Sequence, residues 1–126
     1  MKRTSISSLK KKAWKVFSEY IRQKYADWRG YATCVTCGAV KHWKELQAGH
    51  FIGGRRNSLL FDERACHPQC MPCNVWKHGD QIKYFRFMQR AYGEHVIREL
   101  ESLNLVDKQF KKEELESIIK KYKPCP

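Results

Sequence analysis

Two copies of one short motif constrain this sequence most. Cys34-Val-Thr-Cys37 is followed by Gly38, and Cys70-Met-Pro-Cys73 by Asn74, with 32 residues between them. A C-x2-C knuckle bends the backbone so that two thiolates face one tetrahedral ion, and two knuckles complete a closed shell of four sulfurs. Cys34, Cys37, Cys70 and Cys73 are therefore read as ligands of a structural Zn2+, with Cys66 the alternative to Cys70; Cys66 and Cys125 otherwise read as ordinary thiols. A disulfide framework is disfavoured, because Met1-Lys2-Arg3 leads into Ser- and Lys-rich sequence with no apolar signal core. No run approaches the roughly 18 apolar residues of a membrane span, so a soluble, cytoplasmic protein is expected. Zinc bound in this way adds folding energy outright, but a closed shell has no open position at which to activate water. Any chemistry needs a second site.

The charge points to the partner. A chain of 126 residues with 25 Lys and Arg against 13 Asp and Glu carries +12, which favours a polyanion, nucleic acid first. That excess is uneven. Residues 1–31 hold nine basic and two acidic side chains, residues 32–80 six and four, and residues 81–126 ten and seven. The middle segment is nearly neutral, yet it carries five of the six cysteines and four of the five histidines. Chemistry and charge are segregated along the chain.

Apolar residues at Leu9, Ala13, Val16, Phe17, Tyr20, Ile21 and Trp28 follow helical spacing over about Ser8 to Arg29, with Gly30 as the stop. The other face of this helix carries Lys10, Lys11, Lys12 and Lys15, a phosphate-contacting arm or a plain solvated face. In the last third, Ile82, Phe85, Met88, Ala91 and Tyr92 predict one helix before Gly93. Val96, Ile97 and Leu100 predict a second, and Glu113 to Tyr122 a third, their apolar stripes read as core. Between the knuckles, Leu46 to Ile52 and Leu59 to His67 flank a Gly-Gly-Arg-Arg-Asn loop, the layout of two short strands joined by a turn. The first strand delivers His50. The second knuckle runs into Asn74-Val-Trp-Lys77, which predicts a helix start. The whole reads as one α+β domain: a basic N-terminal helix (1–31), a zinc-stapled core (32–80) and a helical C-terminal part (81–126).

The order of C-x2-C, a strand His and C-x2-C-N-x2-K resembles the HNH, or ββα-metal, nuclease fold of treble-clef type. The blocks C-x2-C-G, A-G-H-[FY], L-x-F-[ND]-E-R, H-x-Q-C-x2-C-N and Tyr92-Gly93, from about Trp28 to Tyr122, are similar to the NinG (Rap) family of phage recombination endonucleases. The arrangement also resembles phage resolvases of the endonuclease VII type. The resemblance implies His50 as general base for water and Asn74 as a ligand of a catalytic Mg2+ or Mn2+. Two departures stand out. Gly49 and Gln47 occupy positions where most such nucleases carry an acidic ligand, and Ala65 stands where an Asn usually braces the hairpin, with Asn57 the alternative brace. Gln47, Asp62, Glu63 and His67 are the candidates to complete the catalytic metal shell.

Elementary chemistry agrees with these roles. Phosphodiester hydrolysis needs a base near neutral pH, which imidazole supplies, and a divalent cation for the charge growing on phosphate. Mg2+ is often held by one or two protein oxygens, and Asn74 suits that sparse role. Arg55, Arg56 and Lys77 are candidate backbone contacts. The competing readings are plainer: His50 and His42 as packing or surface residues, Asn74 as a helix N-cap, His67 in a structural hydrogen bond, His78 in a turn and Trp76 in the core. The resemblance implies endonucleolytic cleavage of branched DNA, such as D-loops or Holliday junctions, in a phage-infected cell, with a homodimer for paired cuts. A noncatalytic zinc-bound nucleic-acid module and an RNA-directed nuclease are the alternatives.

Overall fold

The computed structural model describes residues 5–124. Helix α1, Ile6–Lys24, is capped by Ser5, whose hydroxyl accepts the Ser8 amide. Leu9, Ala13, Phe17 and Ile21 recur every four residues on one face and are buried. The burial of Phe17 or Ile21 contributes about 2 kcal/mol each. The helix ends five residues earlier than the predicted Arg29. Asp27 explains this: its side chain accepts the amides of Arg29 and Tyr31 and offers the backbone a turn in place of helix.

Strands β1 (Tyr31–Thr33) and β2 (Val40–His42) form an antiparallel hairpin whose loop is the first knuckle. Strand β3, Gln47–His50, pairs antiparallel with β4, Cys66–Gln69, in the register Gln47↔Gln69, Gly49↔His67 and His50↔Cys66. The return strand therefore lies later than the sequence predicts. Leu59 and Leu60 belong to a one-turn helix, α2 (Asn57–Leu60), which buries both, and a 3-10 turn at Glu63–Ala65 follows, capped by Asp62. Asn57 is not the hairpin brace. Its amide donates to the Lys108 carbonyl and ties α2 to the chain before the last helix.

At the second knuckle the backbone makes a π-helical turn, Pro72–Trp76, which spans the point where the sequence predicts a helix start. His78, Gly79 and Asp80, all at positive φ, redirect the chain into α3, Gln81–Ala91. Helices α4 (Glu94–Asn104) and α5 (Lys112–Tyr122) complete the order. On α3 the buried face is Tyr84 and Met88, while Ile82 is 72% exposed and Phe85 half exposed, so that part of the predicted stripe is not core. Trp76 is 68% exposed and likewise not core. Helix α1 packs along α5 and against the β3–β4 pair, with Phe17 edge-on to both Tyr122 and Phe61. A second cluster joins Phe51 and Leu59 to Tyr84, Met88, Ile97 and Leu100. Among the described residues no helix is long and apolar enough to cross a membrane.

Candidate functional site

The four knuckle sulfurs converge. Cys34, Cys37, Cys70 and Cys73 place their Sγ atoms within 4.8 Å of one another, and Cys37 and Cys70 are 3.6 Å apart. A tetrahedron with Zn–S bonds of about 2.3 Å has sulfur–sulfur edges of roughly 3.8 Å, so the cluster has the right size for zinc. The Val35 amide donates to the Pro68 carbonyl and ties the first knuckle to β4, while the Cys34 amide donates to the Ala39 carbonyl and closes the knuckle on itself. The Thr36 hydroxyl lies 3.3 Å from Cys34 Sγ. Cys66 faces away from this cluster, opposite His50 in the ladder; it is fully buried and burial pushes its thiol well up. Cys125 lies outside the described residues.

A cavity of about 550 Å³ opens beside the cluster, between α1, β3 and the π-helical turn. His50, Gln47, Asn74 and Arg55 all line it, together with Trp14, Ser18 and Arg22 from α1. His50 is held on two sides. Its ring stacks on Trp14, with centroids 5.2 Å apart and planes at 25°, and its Nε2 lies 3.1 Å from the Leu60 carbonyl. A carbonyl only accepts, so Nε2 carries the proton and Nδ1 keeps its lone pair. Burial holds the imidazole below its ordinary value; the nearby Arg55 charge works in the same direction and the Leu60 carbonyl against it. The ring is therefore neutral at neutral pH. Arg55 adopts positive φ and sets its guanidinium 4.4 Å from the Trp14 ring centroid.

The Gly49 position explains itself. A Cβ there would run into Gln69 Oε1 and come within 2.9 Å of Asn74 Oδ1, so no acidic side chain fits at this position. Asn74 Nδ2 donates to Gln47 Oε1 at 2.7 Å, which turns Asn74 Oδ1 toward Gly49. Gln69, fully buried, donates to Thr36 Oγ1 and the Gly79 carbonyl, while its own Oε1 has no hydrogen-bond partner. The groups in the cavity that could face a divalent ion are thus the amide oxygens of Gln47, Asn74 and Gln81, the Ser18 hydroxyl and the imidazoles of His50 and His78, and no carboxylate lines it among the described residues. A hard divalent ion there would be sparsely held and would share its shell with water. Arg22 and Arg55 make the cavity a site for anions first.

The other candidate ligands are engaged elsewhere. Asp62 forms a forked pair with Arg64, which also reaches Glu99. Glu63 accepts from Lys24 and the Tyr122 hydroxyl. His67 is enclosed: Tyr84 donates to the Gly49 carbonyl at 2.7 Å, so its oxygen accepts from His67 Nδ1, and Nε2 accepts from the Tyr92 hydroxyl at 2.7 Å. That directional chain braces the strand residue next to His50. Of the candidate phosphate contacts, Lys10 and Lys11 line a neighbouring cleft of about 300 Å³ that shares Trp14 and Arg55 with the cavity. Lys12, Lys15 and Lys77 are exposed and line neither, and Arg56 pairs with Asp107. Sequence reasoning missed Trp14, Gln69 and Tyr84. Trp14 sits one residue after buried Ala13 on the basic helix, and only its fold neighbours reveal it as the wall behind His50.

The model of the Bacteriophage Lambda NinG protein family matches residues 2–125. Protein ninG of Escherichia phage 933W is 30% identical over 93 residues, which cover 73% of this chain and 44% of that protein. Protein ninG of Salmonella phage P22 is 30% identical over 93 residues, 73% of this chain and 43% of that protein. For Escherichia phage lambda the values are 29% over 93 residues, 73% and 43%. The matched region spans less than half the length of these relatives. No solved structure matches. The family match over nearly every residue, knuckles and cavity included, establishes that the chain belongs to the bacteriophage lambda NinG family.

Proposed function

We propose that this chain is a divalent-metal-dependent DNA endonuclease with a zinc-stapled ββα-metal core of HNH type, acting on branched recombination intermediates. One observation carries the reading: in a basic cavity, His50 is neutral, donates Nε2–H to Leu60 and keeps Nδ1 free. In that role Nδ1 takes the proton of a water whose oxygen forms the new bond to phosphorus as the P–O bond to the leaving oxygen breaks. Arg22 and Arg55 hold the phosphodiester. Asn74, oriented by Gln47, would hold Mg2+ or Mn2+, which when bound neutralises charge on the phosphate and the leaving oxygen.

The test is a cleavage panel of linear duplex, single strand, flap, D-loop and four-way junction, with and without Mg2+, in DNA and RNA versions. His50→Ala should fold, keep zinc and cut about 10²- to 10⁴-fold more slowly. An undiminished rate would sink the assignment. The carboxylate-free cavity favours a second reading, a noncatalytic zinc-bound nucleic-acid module; binding without cleavage of every substrate would support it. Paired cuts at a junction call for two copies, which sedimentation on junction DNA would reveal.

A further inference from the structure

A second aromatic and basic face lies beyond the cavity wall. The segment after α1 folds into a turn fixed from within: Asp27 Oδ1 accepts the amides of Arg29 and Tyr31 at 2.9 Å each, and the Asp27 amide donates to the Tyr31 carbonyl at 2.7 Å. Gly30 closes it at φ +88°, where a Cβ would lie 2.6 Å from His42 Nε2. The Trp43 amide donates to the Gly30 carbonyl at 2.8 Å and pins the turn to the β1–β2 hairpin. At the tip stands Trp28, 92% exposed, on backbone that is already ordered.

Cations interleave with the rings. The Arg29 guanidinium is 5.7 Å from the Trp28 centroid and 5.5 Å from that of Tyr31. Tyr31 meets His42 edge-on, and Trp43 carries Arg22 at 5.2 Å and Lys44 at 5.8 Å. Asp27 is consumed by the turn it holds. Arg22 links this face to the cavity, since it lines the cavity and donates to the Trp43 and Leu46 carbonyls.

We propose that the Trp28–Tyr31–Trp43 face is a stacking platform for the unpaired bases of single-stranded DNA, with the strand's phosphates against Arg29, Lys44 and Arg22. Every base has a π-face, so the exposed rings of Trp28 and Tyr31, on rigid backbone and continued by the partly exposed Trp43, bind bases without reading sequence, and the interleaved cations match a polyanion. The proposal rests on the endonuclease reading only for its purpose, to hold the open strand of a branch beside the cavity. The binding itself stands alone.

The test compares a fluorescent oligothymidine with an abasic strand of equal length, by anisotropy, on the full zinc-loaded chain without Mg2+. Trp28→Ala should weaken oligothymidine binding about tenfold or more and leave abasic binding as it was, and Trp28→Phe should restore most of the loss. Equal effects on both strands, or none on oligothymidine, would overturn the platform. So would a dimer that Trp28→Ala dissociates while oligothymidine binding persists, which would make the face a self-association surface. Matched melting curves check that the variants fold. Base-dependent binding in a protein that cuts nothing would defeat the endonuclease reading alone; cleavage with equal binding to both strands would defeat the platform alone.

Discussion

Acidification should destabilise this protein through His67, by an amount its surroundings set. The ring is fully buried, its Nε2 already accepts from Tyr92, and burial, with the Lys24 charge behind it, lowers its pKa from 6.5 to about 3. The unfolded chain takes the proton first. Stability from the neutral ring is therefore complete above pH 6.5, falls as the pH drops through 6.5, and levels off only below about pH 3. At about 1.4 kcal/mol per pH unit the full loss is about 5 kcal/mol, of which about 2 kcal/mol has gone by pH 5. His50, also lowered, pulls the same way, as would proton competition for the four knuckle sulfurs when zinc is bound, so the measurement is a difference. Urea unfolding followed by tryptophan fluorescence, with zinc saturating, is run on wild type and His67→Gln at pH 7 and pH 5. The variant starts less stable, because it breaks the Tyr92–His67–Tyr84 chain, but should lose about 2 kcal/mol less between the two pH values. Parallel losses in the two proteins, or an imidazole NMR titration of His67 near its ordinary value, would refute the reasoning.

Cys70→Ser should lose the single zinc measured by atomic absorption, while Cys66→Ser retains it; the reverse result would put Cys66 in the shell. Gly49→Ala should cost on the order of 1–3 kcal/mol in thermal unfolding, because its methyl meets the buried Gln69 amide; unchanged stability would show that β3 shifts freely. Substituting Lys10, Lys11, Lys12 and Lys15 together should flatten the salt dependence of DNA binding by about 0.9 in log–log slope per lost phosphate contact, and an unchanged slope would return that helix face to solvent.

Local signals carried much of this protein. The spacing of Cys34, Cys37, Cys70 and Cys73 pointed to one cluster because two knuckles have few ways to satisfy four sulfurs, and the sulfurs do converge. Leu9, Ala13, Phe17 and Ile21 announced the buried face of α1 because 3.6-residue periodicity is written directly into sequence. What failed was what packing decides. Leu59 and Leu60 suit a strand or a helical turn equally, and burial beneath the loop chose the turn, which moved the return strand to Cys66–Gln69. Asp62, Glu63 and His67 have the chemistry of metal ligands, but Arg64, Lys24 and two tyrosines from distant positions claim them. Gly49 has no room for a side chain because Gln69 and Asn74, far along the chain, fill the space beside it, which no local pattern encodes. Sequence alone determined which residues can do chemistry and which helix faces are apolar, since both are properties of single residues and their spacing. Tertiary structure decided which polar groups stay free, because a hydrogen bond or ion pair between elements depends on where those elements dock, and that follows from the whole core at once.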